Sequence, residues 1–268
     1  MSNIKVPREF SRRCRKLDFS VMKAQEMRNI LLFFFNTVID CFEKEAKERQ
    51  LWLLLAFSVR ACIIPAIEYS ETLVPIITQN MQSFYNLYET LFGVRNCTYT
   101  VHVISSHLLD MRIDGPLTET SAFDFENFYA ELRRSFVPGT PNPLKQIFQN
   151  LILKRLLRGH YCNSPIHYSA KDTPLESNSF IYIYENNDHH FYKISEIRPD
   201  SQLLCLKMGK YPLSYSEYPN LPWNLVGVYK KGPITNKTRI ISPSECHGKA
   251  LIVGKLILSC PINILEEK

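Results

Sequence analysis

Glycine is scarce in this chain, nine among 268 residues. Neither G-x-G-x-x-G nor G-x-x-x-x-G-K-[ST] occurs, so no glycine-rich turn aims backbone N–H groups at a phosphate, and nucleotide cofactors are set aside. Cysteines at metal or redox spacing are also lacking. Cys14, Cys41, Cys62, Cys97, Cys162, Cys205, Cys246 and Cys260 are scattered, with no C-x-x-C and no apolar leader ahead of them, which reads as a reduced intracellular protein. His160, Cys162 and His167, and later His189, His190, Cys246 and His247, are poorly spaced for zinc. Long hydrophobic runs are missing as well. "LWLLLAFSVRACIIPAI", 51–67, is shorter than the roughly 20 residues a membrane span needs and contains Arg60 and Pro65, so a buried helix kinked or ended near Ile64 is expected.

What is present is a folding composition, 45% hydrophobic and 12% aromatic, which excludes a disordered tail. Most of the formal charge of +6 lies at the start, where Lys5, Arg8, Arg12, Arg13, Arg15, Lys16, Lys23 and Arg28 face only Glu9, Asp18 and Glu26. Such a cluster is either a solvated basic face or import stretch, or a contact for phosphate backbones.

Hydrophobic spacing predicts helices first. Met22–Phe42 is apolar on nearly every side, as a central bundle helix would be. Leu73, Ile77, Phe84, Tyr88 and Leu91 mark one face of a helix over Glu71–Phe92 that Gly93 stops. Val101, Ile104, Leu108 and Met111 form the stripe of another, with His102 beside it. Further helices are expected from Asp124, with Phe125, Tyr129, Leu132 and Phe136 buried, and from Pro143 to about Arg158. Past Cys162 the period becomes two. "FIYIY" and "FYKISEI" flank the hairpin signal "ENNDHH", and "QLLCLKM", "LVGVYKK", "TRIIS" and "ALIVGKLILS" follow as short runs. The expected class is α+β: an N-terminal all-α domain over 1–161, a linker over 162–178, and a small antiparallel β-barrel-like module over 179–268.

Four blocks in order then carry a resemblance: "PREFSRRCRKL", "MKAQEMRNILLF", "YTVHVISSHLLDMRIDGPLTETSAFDFENF" and "NPLKQIFQNL". Together they resemble the uncharacterised domain toward the C-terminal end of CACTA-type (En/Spm) transposases. "LVGVYKKG", "ISPSECHGKA" and "CPINILEE" resemble the β-rich tail that follows it in animal copies. Met22 stands where that family usually has tryptophan, and Ser106 occupies the place of its second histidine, with His107 after it.

The resemblance implies an RNase H-like enzyme of DNA transposition that cleaves phosphodiesters with two Mg²⁺ ions, held by two strand-borne aspartates and a third acid on a helix. It makes Glu126 the candidate third acid and metal ligand, and gives His102 a secondary role in contacting DNA or orienting a ligand. The competing reading of Glu126 is a first-turn helix cap that complements the macrodipole, and that of His102 is a satisfied core histidine. Arg8, Arg12, Arg13, Arg15, Lys16, Arg133 and Arg134 are the candidate DNA contacts. With no strand-borne aspartate pair ahead of "PREF", the chain is expected to be inert alone, without a cofactor of its own, and to need a fuller transposase chain to complete a Mg²⁺ site. DNA is the expected partner, the nucleus the expected place, and no membrane or nucleotide is expected. The alternative is a non-enzymatic nucleic-acid or protein interaction module retained from a transposon.

Overall fold

Three successive phenylalanines, Phe33, Phe34 and Phe35, interrupt the helix that the sequence predicts over Met22–Phe42. The computed structural model describes residues 22–43, 46–65, 68–112, 115–117, 142, 145–146, 148–149, 168–171 and 178–261. It divides that stretch into α1 (Ala24–Leu32) and α2 (Phe35–Ile39). A continuous helix would fan three neighbours across about 200° of its circumference. Breaking at Phe33 and Phe34 turns all three rings into the core, each at most 1% exposed.

The apolar 51–67 run lies mostly in α3 (Lys47–Ile63), which ends where Pro65 forces Ile64 into an extended conformation (φ −62°, ψ 147°). No helix among the described residues is long and apolar enough to cross a membrane. Next comes α4 (Leu73–Phe92), which tolerates Pro75 in its first turn and stops at Gly93, whose φ of 81° suits glycine. Leu73, Ile77 and Phe84 are buried as the spacing predicts, with Asn80 and Met81 beside them. The last described helix, α5 (Tyr99–His107), leaves Val101 and Ile104 half-buried; Leu108 just past its end is buried, and Met111 is exposed. The helix expected from Asp124 lies outside the described residues. In the Pro143–Arg158 stretch, Lys145, Gln146, Phe148 and Gln149 have helical backbone, and Asn142 Oδ1 accepts the Lys145 N–H at 3.1 Å as an N-cap would.

Six strands make the β part: β1 (Phe180–Glu185), β2 (Asp188–Ile197), β3 (Leu203–Tyr211), β4 (Val228–Ile241), β5 (Gly248–Val253) and β6 (Leu256–Pro261). They pair antiparallel in the order β1-β2-β3-β4-β6-β5 and close into a barrel through Ile181↔Lys249 and Tyr182↔Gly248. The β1–β2 hairpin turns on Asn186 and Asn187, both at positive φ (53° and 58°), the geometry a type I′ turn demands. "LVGVYKK" and "TRIIS" do not form two strands. They are the ends of β4, and the ladder with β3 absorbs the extra residues as register shifts on either side of Met208. Conversely, "ALIVGKLILS" is two strands, folded back at Gly254 (φ 59°).

Each strand contributes one residue to the inner cluster Tyr182, Phe191, Met208, Tyr229, Ala250 and Ile257, so this cluster fills the barrel. Outward-facing Val228, Leu251, Val253, Leu256, Leu258 and Cys260 belong instead to the same apolar cluster as α1 to α4. Trp223, fully buried in a 3-10 turn before β4, sits at that junction. Its indole stacks on Phe35 at 5.0 Å and meets Phe57 edge-on at 5.2 Å.

Candidate functional site

Two groups of polar side chains stand out, one buried at an end of the barrel and one exposed beside it. The buried group begins with Arg60. On α3 this residue sits among aliphatic neighbours, yet its guanidinium fork finds three backbone carbonyls. It donates to Val226 O at 2.7 Å, Leu32 O at 2.9 Å and Ser259 O at 2.6 Å. One side chain thereby ties α1, the Trp223 turn and β6 to α3. Burial brings its pKa down to about 10, against support from Cys260, Tyr182 and Glu68.

Glu68, in the connection between α3 and α4, reaches into the barrel end. Tyr182 OH donates to its Oε1 at 2.8 Å, and His189 Nε2 lies 2.9 Å from Oε2. All three side chains are buried. With the carboxylate accepting, the proton of the second contact belongs to Nε2. Burial, then Glu68, pushes the Tyr182 phenol well above its usual range. The array continues outward: Tyr229 OH donates to Asp188 Oδ1 at 3.1 Å, and Lys210 Nζ pairs with Asp188, donates to His189 O and lies 4.4 Å from the centre of the Tyr229 ring. Burial opposes ionisation of Asp188, but Lys210 and the Tyr229 hydroxyl hold it below the usual carboxylate range. These groups spend their hydrogen bonds on one another, so the array acts as a polar plug that locks the helices onto the barrel.

The exposed group follows from β3 and β4, which hold Lys207, Lys210, Lys230, Lys231, Lys237 and Arg239 and no aspartate or glutamate. Register brings them together. Lys210 faces Lys231, Tyr211 faces Lys230, and Lys231 N–H donates to Lys255 O at the β5–β6 turn. Lys230, Lys231, Lys237 and Lys255 are exposed. Arg239 is occupied by Glu185 and Glu245. The mutual repulsion is visible at His190, where burial, then Lys207 and Lys210, lower the imidazole pKa.

The residues singled out in the sequence fall elsewhere. Glu126, Arg133, Arg134, Arg8, Arg12, Arg13, Arg15 and Lys16 lie outside the described residues. His102 is exposed on α5 and is no core histidine. Its Nδ1 lies 3.5 Å from Ser106 Oγ, and its ring centre 5.8 Å from that of His107, which contacts Asp110 at 2.8 Å. Of the residues weighed for zinc, His189 is engaged by Glu68, His247 Nδ1 accepts from Tyr184 N–H at 3.2 Å, and Cys246 Sγ contacts Ser242 O. Among the described residues no three His, Cys, Asp or Glu side chains are grouped to hold a metal. Sequence reasoning used Arg60 only as an argument against a membrane span and took the lysines of "LVGVYKK" as a strand end. The absence of acids from both strands was the available signal for the second group. No family model matches the chain, and no curated protein or solved structure matches it.

Proposed function

We propose that this chain is a nucleic-acid-binding module derived from a CACTA-type DNA transposase, and that it holds DNA through the lysine face of the barrel. The observation that carries the reading is the acid-free pair β3 and β4, which with the β5–β6 turn gathers the exposed residues Lys230, Lys231 and Lys255. A face of one sign draws the phosphate backbone and releases its counterions. The blocks from "PREFSRRCRKL" to "NPLKQIFQNL" supply the transposase part of the reading, in which the basic N-terminal segment adds phosphate contacts and Glu126 serves as one Mg²⁺ ligand within a fuller enzyme.

Fluorescence anisotropy with labelled duplex DNA over a salt series tests the proposal. The Lys230→Ala/Lys231→Ala/Lys255→Ala variant is expected to bind more weakly and to flatten the dependence of log affinity on log salt by about 0.9 per lysine removed. An unchanged slope rejects the lysine face as the contact. A protein-binding role has one observation in its favour: Phe92, Val94 and Tyr99, around the α4–α5 junction, are 45%, 66% and 82% exposed.

A further inference from the structure

Phosphate binding leaves one feature of the lysine face unused. Tyr211, the last residue of β3, is 55% exposed. Among the described residues its ring stacks on no other. The aromatic side chains inside the barrel, Tyr182, Phe191 and Tyr229, pack against one another or against His189, whereas Tyr211 is exposed. Lys230 is its cross-strand partner and Lys231 is opposite its neighbour Lys210.

Alternation along a strand explains why the ring is held there. Neighbouring residues of a strand point to opposite faces, and Lys210 is turned inward onto Asp188, His189 O and the Tyr229 ring. The end of β3 is therefore pinned from within, and Tyr211 is directed to the opposite face. An exposed ring whose cross-strand partner is an exposed lysine matches a nucleobase attached to a phosphate chain. In a duplex the base faces are covered by their neighbours. In a single strand they are bare, and stacking on an aromatic ring tolerates any base.

We infer that the lysine face binds single-stranded nucleic acid in preference to duplex, with Tyr211 stacking on an unpaired base while its cross-strand partner Lys230 contacts a flanking phosphate. This rests on the nucleic-acid reading above and names the class of ligand that the same face takes. Base identity is not read, because the ring offers a π face and no pattern of donors and acceptors.

The test compares three labelled probes of equal length with the full chain: oligothymidylate, an abasic strand and a blunt duplex. The unaltered protein should bind oligothymidylate most tightly. Tyr211→Ala should weaken oligothymidylate binding about tenfold while leaving the abasic strand and the duplex as they were, and Tyr211→Phe should retain the preference. Circular dichroism of each variant confirms that the fold persists. Equal binding of oligothymidylate by the Tyr211→Ala variant, or a preference of the unaltered protein for duplex, overturns the inference. Lysine-dependent binding that ignores Tyr211 sinks the stacking role and spares the broader reading. Binding of none of the three probes removes both.

Discussion

Arg60 concentrates more of the tertiary structure than any sequence pattern around it announces. Its three acceptors belong to α1, the Trp223 turn and β6, so replacing it strands buried carbonyls in three segments at once. Arg60→Ala is expected to lower the stability measured by urea denaturation by about 3 kcal/mol. Arg60→Lys should recover little of this, because a single ammonium cannot reproduce the planar fork. Two glycines make a second comparison. Gly227 has φ +70°, and a Cβ there would lie 1.8 Å from Ser259 Oγ and 3.1 Å from His189 Nε2. At Gly254, φ is +59° and nothing lies within 4 Å of the added carbon. Gly254→Ala should therefore cost only the left-handed backbone penalty, about 1 kcal/mol. Gly227→Ala adds a clash at the buried array and should cost several-fold more, read as the difference in urea midpoints.

At the scale of elements, local signals were legible and non-local ones were not. The Asn186–Asn187 turn was readable because a type I′ hairpin needs two residues that accept positive φ, and the stop of α3 was readable because Pro65 acts on its immediate neighbour. The split of Met22–Phe42 depended on burying three adjacent rings at once, which a periodicity count cannot register. The two runs assigned to separate strands are joined in β4 because Gly232 and Pro233 sit at an irregularity of the ladder; a Cβ on Gly232 would come within 2.6 Å of Gly209 C. Glu68 and Arg60 were not recognisable as site residues, since all their partners but Leu32 lie 114 to 199 positions away. The β2–β3 element also carries a pH dependence. Burial, then Lys207 and Lys210, make folded His190 harder to protonate, with Asp188 and Glu185 opposing them in part. The unfolded chain takes up that proton near pH 6.5, so this contribution to stability is complete above that pH and is lost as pH falls toward the lower folded pKa. Urea midpoints measured from pH 8 down to pH 5 should decline less steeply in His190→Gln than in the parent chain.

For the whole molecule, the α+β class and a barrel-like antiparallel module follow from the change of period near Cys162, whereas closure rests on the contact of β1 with β5. The cationic face was harder to see, because its lysines come from runs that only strand pairing sets side by side. The reach of Arg60 across the fold has a consequence for biosynthesis. A ribosome delivers α3 long before it delivers Ser259, 199 residues on, so during translation the guanidinium must wait, hydrated, until the sixth strand emerges. A nascent chain arrested ahead of the Trp223 turn would have neither Val226 nor Ser259 to set against α3, and its helices should remain open to protease until the barrel's last strands arrive.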